Sequence, residues 1–123
     1  MADVSFSASL QISKDNLAGT FARSSTTDIA TAGMLVQTLT LGTTPTQIST
    51  ATIGSLGMAF GQSLVSVTQA TATVSIGRLV GGVMHESAVM RPGEAFAMRL
   101  APGDYAAKGA AAGYRIQVVI LEE

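Results

Sequence analysis

The chain contains no cysteine and no tryptophan, and only one histidine, His85. The first absence removes disulfides, thiolate nucleophiles and cysteine-built zinc centres. With a lone histidine, a transition-metal centre would have to be assembled from carboxylates alone, so no metal or other cofactor is expected. Charge is scarce as well: 12% of residues are charged, against roughly a quarter in a typical soluble domain. The net charge is -1, and the seven basic residues (Lys14, Arg23, Arg78, Arg91, Arg99, Lys108, Arg115) form no stripe. No nucleic-acid partner is expected from such a pattern. Gly, Ser, Thr and Gln interrupt every apolar run, so no membrane span or membrane partner is expected. The opening "MADVSFSASL" has neither a basic n-region nor an apolar h-region, which points to synthesis in the cytoplasm without a secretory signal.

Acids are equally dispersed. Of the eight, only Glu122 and Glu123 are adjacent, and none gather in a calcium-type loop. The aromatic residues are Phe6, Phe21, Phe60, Phe96, Tyr105 and Tyr114, too few for an evident sugar-stacking platform. What remains is a 123-residue chain with 47% apolar residues, enough for one domain with a buried core. So little charge over so much apolar sequence favours burial against partners.

Period-two alternation recurs along the chain. In "VSFSASLQI", Val4, Phe6, Ala8, Leu10 and Ile12 share one parity. "MLVQTLTL" sets Leu35, Leu39 and Leu41 on one side, "ATATVSIG" alternates Thr and Ser with Ala72, Val74 and Ile76, and "GYRIQVVIL" aligns Tyr114, Ile116, Val118 and Ile120. Breaks rich in turn-forming residues recur between them, at "SKDN", "GTTP", "GSLG", "RLVGG", "RPGE", "APGD" and "KGAAAG". Strands are predicted near residues 3–13, 34–41, 45–50, 56–66, 71–77, 86–91, 95–100, 104–108 and 113–121. Residues 17–33, with a polar middle, read as an extended arm or a loose edge hairpin. No helical stripe is present. "AAKGAAAGY" has alanine's helix propensity but is cut by its glycines. The expected fold is all-β, an antiparallel β-sandwich that is jelly-roll-like. Residues 1–33 are expected to form an N-terminal arm or edge hairpin, and residues 34–123 the sandwich.

One stretch poses the question of chemistry directly. "RPGEAFAMRLAPGDYAAKG" states a Pro-Gly-acid motif twice, at Pro92-Gly93-Glu94 and Pro102-Gly103-Asp104. Two matched acids could be a catalytic or metal-binding pair, or two type II turns in which proline presets φ and glycine supplies a positive φ. "EAFAMRL" between them reads as one short strand with Phe96, Met98 and Leu100 facing the core. The acids then lie roughly 20 Å apart at strand rise, beyond the about 10 Å that paired glycosidase carboxylates need. Structural turns are the expectation. His85 and Glu86 in "VMHES" read as a partly exposed strand-end pair. No Gly-x-Ser-x-Gly elbow and no phosphate loop accompany any serine or glycine cluster. A cupin, a jelly roll with Pro-Gly turns, is the nearest enzyme-like reading, but its metal site needs several histidines and this chain has one. No catalytic, cofactor-binding or metal-ligating residues are expected, and no enzyme.

Segments of the C-terminal half resemble small structural proteins of tailed bacteriophages. Those chains tend to run through a glycine-aromatic strand, a "VEIG"-like strand, a "LKPGE" turn, an "FRLAPG" strand, a "YAKA" segment and a terminal "ILE" with acids. Matching them here are "IGSLGMAF", Val74-Ser75-Ile76-Gly77, Met90-Arg91-Pro92-Gly93-Glu94 and Met98-Arg99-Leu100-Ala101-Pro102-Gly103. Tyr105-Ala106-Ala107-Lys108 and Val119-Ile120-Leu121-Glu122-Glu123 complete the set. The alanine-rich "GAAAG" departs from the pattern. The resemblance spans residues 54–123 and implies a virion protein, most like a capsid decoration (cement) protein. Its implied location is the capsid surface, and its implied partners are the major capsid protein and itself, as a homo-oligomer. A tail or head-fibre component, or a carbohydrate-binding sandwich module, is the alternative.

Overall fold

The computed structural model describes residues 4–27, 33–50, 53–66, 68 and 71–122. The described residues form ten β-strands and no helix, and the chain divides into two compact units, residues 1–30 and 31–123.

The first unit is an antiparallel hairpin of β1 (Val4–Lys14) and β2 (Leu17–Thr27), each eleven residues long. Asp15 and Asn16 make the turn, Asp15 with φ 52. Two-residue hairpin loops take positive φ, and a short polar side chain tolerates it better than a bulky one. Residues 17–27, open between arm and hairpin on sequence grounds, thus form a full strand. Among the described residues that strand pairs with β1, in a two-stranded sheet of its own. The remainder of the 17–33 stretch falls largely outside the described residues.

The second unit holds β3 (Met34–Leu41), β4 (Thr46–Ile48), β5 (Leu56–Ser63), β6 (Val74–Val80), β7 (Val83–Met90), β8 (Ala95–Arg99), β9 (Asp104–Gly109) and β10 (Tyr114–Glu122). They form two four-stranded sheets, ordered β3-β10-β5-β8 and β4-β9-β6-β7, with every pairing antiparallel. The pairs β3–β10, β4–β9, β5–β8 and β6–β7 describe one long ribbon doubled back on itself. Rolling that ribbon adds the contacts β10–β5 and β9–β6. This is the jelly-roll arrangement of an eight-stranded sandwich.

Alternation places the core. In β10, Ile116, Val118 and Ile120 are almost fully buried, and they meet Leu41, Ile48, Val74, Ile76, Met90, Leu100 and Ala107 from the other strands. Each large aliphatic side chain taken out of water contributes about 1.5–3 kcal/mol. Phe96 and Met98 pack against this cluster, as the parity of "EAFAMRL" predicts. The Phe96 ring lies over its cross-strand neighbour Gly61, where a Cβ would collide with it.

The hairpin β6–β7 is longer than its sequence implies. The break expected over "RLVGG" shrinks to Gly81-Gly82, with φ 58 and 78, the type I′ geometry that matches strand twist. Its register slips at Ile76/Gly77, so Ser87 is an extra residue in β7. The slip brings the His85 carbonyl against Gly77, leaving no room for a Cβ there. His85 and Glu86 therefore sit inside β7, opposite Arg78 and Gly77, rather than at a strand end.

Candidate interaction surfaces

The two Pro-Gly-acid motifs lie at opposite ends of β8, one before Ala95 and one after Arg99. The first is a closed turn: Glu94 N–H donates to Arg91 O at 3.0 Å, and Gly93 has φ 82, as a type II turn requires. The Glu94 carboxylate folds back on the same turn, Oε1 accepting from the Arg91 backbone N–H at 2.6 Å. The second motif does not repeat this. Pro102-Gly103 is a bend rather than a hydrogen-bonded turn, and Gly103 has φ 147, far from the type II value of about 80°. Buried Tyr105 holds this corner instead, its hydroxyl donating to Ala101 O at 2.7 Å. Arg78 packs its guanidinium over Gly103.

Polar side chains elsewhere serve the sheets. Across β9, β6 and β7, Lys108 Nζ pairs with Glu86 Oε1 at 3.1 Å, and the Ser75 hydroxyl donates to the same oxygen at 3.4 Å. Ser75 and Lys108 are cross-strand neighbours, so this is a short ladder over three adjacent strands. Serine, lysine and glutamate together invite a catalytic reading. Ammonium and hydroxyl both engage the Glu86 carboxylate, which takes a proton-donor contact from each. Gln37 bridges the two sheets, donating through Nε2 to Ser49 O at 2.7 Å and accepting from Ser49 N–H at 3.2 Å. Among the described residues, no three of His, Cys, Asp and Glu gather closely enough to hold a metal ion.

The surfaces that stand out are apolar. In the hairpin, the register puts Phe6, Ala8, Leu10 and Ile12 of β1 on one face with Leu17 and Phe21 of β2, and Lys14, Arg23 and Ser25 border them. Leu10 is 59% exposed, and its cross-strand partner Phe21 is 62% exposed. The opposite face is Ser5, Ser7, Ser9, Gln11 and Ser13 against Ala18, Thr20, Ala22, Ser24 and Thr26. This two-stranded sheet is amphipathic, and among the described residues of its own unit none covers its apolar side.

A second such face belongs to the sandwich. On the outside of the sheet β3-β10-β5-β8, one row crosses all four strands: Val36, Val119, Phe60 and Ala97. Val36 is 50% exposed and Phe60 40%, and exposed Met34 extends the band. Beside the row, Gln62 Nε2 donates to Gln117 Oε1 at 2.6 Å. Arg99 and Arg115 are the face's charged residues, near diagonally opposite corners. The sequence carried a signal for this face: "VVIL" in β10 is apolar on both parities, where alternation alone would leave one side polar. Val119 and Leu121 are the surplus.

Comparison with protein-family models, curated proteins and solved structures finds no match for this chain.

Proposed function

We propose that this chain is a structural virion protein of a tailed bacteriophage that seats on the capsid exterior as a decoration (cement) protein. The observation that carries the reading is the hairpin β1–β2 with its uncovered apolar face. An isolated two-stranded sheet is marginal in water and gains stability when its apolar side is covered. A segment of this kind orders fully on its target, here the major capsid protein. Sparse charge suits close packing of many copies, and the phage-like segments of residues 54–123 point to the same particle. The chain works by assembly and not by catalysis. Individual contacts can be weak because repetition over a shell makes their sum large.

The test uses shells prepared without this chain, heated alone, with the native protein, and with a full-length Leu10→Ser/Phe21→Ser variant. Native protein should sediment with the shells and raise their disruption temperature, and the variant should lose both effects while its sandwich still unfolds cooperatively. Native protein that neither binds shells nor protects them overturns the reading. Binding to tail or fibre parts instead would make it a tail or head-fibre component.

A further inference from the structure

We infer that the outer face of the sheet β3-β10-β5-β8 is a self-association surface, covered by the same face of a second copy. The proposal goes beyond the capsid reading and does not depend on it.

Area is the first support. Four strands about 4.8 Å apart, with outward residues about 7 Å apart along each, give a patch of roughly 20 by 25 Å. Two such faces together bury on the order of 1,000 Å², the lower bound for a specific interface.

Complementarity is the second. Consider a two-fold axis parallel to the strands, running along the seam between β10 and β5. It lays β3 over the partner's β8 and β10 over the partner's β5. Val119 then meets the partner's Phe60, and Val36 meets the partner's Ala97, a larger side chain on a smaller one each time. Gln117 falls on the partner's Gln62, so the amide pair that lies beside the apolar row meets amides and not hydrocarbon. Arg99 lies over the partner's Met34, and Arg115 over the partner's Leu64, so no cation meets a cation. A two-fold across the strands is worse, because it sets these glutamines on Met58 and Leu121 and strands their polar groups. Sheet-on-sheet packing of this sort is the ordinary way a flat apolar β face is covered.

Sedimentation of the full chain should give a particle of twice the 12.5 kDa protomer. Val36→Lys puts a charge in the apolar row, on the edge strand β3 at a half-exposed position that the partner's Ala97 would cover, so it should shift the protein to monomer without changing its circular dichroism. Gln47→Lys, exposed on the other sheet, should leave the dimer intact. Because the native chain has no cysteine, Val119→Cys mixed with Phe60→Cys should be joined between copies by a short bis-maleimide cross-linker, since facing sheets lie about 10 Å apart, beyond the reach of a disulfide. A native chain that stays monomeric at hundreds of micromolar overturns the proposal. So does a dimer that survives Val36→Lys, or one that the Val119 and Phe60 cysteines fail to trap.

Discussion

The carboxylate of Glu94 accepts a 2.6 Å hydrogen bond from the backbone N–H of Arg91, across the turn that these two residues bracket. An acid that could be taken for a catalytic group is thereby engaged in holding its own backbone. Its counterpart Asp104 opens β9, and the corner before it is tied by Tyr105 instead. Two nearly identical strings of sequence are closed by different atoms.

That difference predicts unequal costs. Glu94→Ala should destabilise the protein by about 1 kcal/mol, the worth of one exposed charge-assisted hydrogen bond. Asp104→Ala should stay within about 0.5 kcal/mol of native, as surface substitutions usually do. Urea unfolding of both variants checks this, and equal losses would show that the two acids share a role.

The two constrained glycines should respond to any added side chain. Gly93 sits at φ 82, where a Cβ costs about 1–2 kcal/mol, and valine there costs more. Gly77 meets the His85 carbonyl, so even Gly77→Ala must push two backbones apart at the β6–β7 bulge, costing about 1–3 kcal/mol. Midpoints of thermal unfolding should fall for both, and an unchanged midpoint for Gly77→Ala would contradict the bulge geometry.

Tyr105→Phe isolates the second corner. The ring stays in the core, and only the hydroxyl bond to Ala101 O is removed. A loss of about 0.5–1.5 kcal/mol is expected, read by the same urea titration. No loss would mean that the corner holds without it.

How much of this was legible depended on how regularly each strand shows its two faces. In "MLVQTLTL", Leu35, Leu39 and Leu41 mark one parity despite Gln37, and residues 34–41 coincide with β3. β8 was placed to within one residue because its flanking Pro-Gly pairs mark both ends. β2 was obscured because its apolar face is thin: between Leu17 and Phe21 there is only Gly19, and beyond Phe21 come Arg23 and Ser25. The β6–β7 hairpin was cut short because the segment from Arg78 to His85 looks like a loop, while the bulge at Ser87 shifts the parity of everything beyond it. The strand-end placement of His85 and Glu86 failed for that reason. The apolar outer faces were hidden for another: composition shows that apolar residues are plentiful, but only strand register shows which of them line up in a row.

The hairpin should be the less protected of the two units. Its amides rest on one pairing and an uncovered apolar face, whereas β10 is paired on both sides and buried. Hydrogen exchange of the free protein should therefore be much faster across residues 4–27 than across 114–122. Equal protection would mean that the hairpin needs no partner to hold it.

The central claim is that the chain acts by assembling onto a shell, and its most direct test is the position of this protein in the intact particle by electron cryomicroscopy. The account predicts jelly-roll density on the outer surface of the capsid, in contact with the major capsid protein through the hairpin β1–β2. Density confined to the tail or its fibres, or no copies in the particle at all, would contradict it.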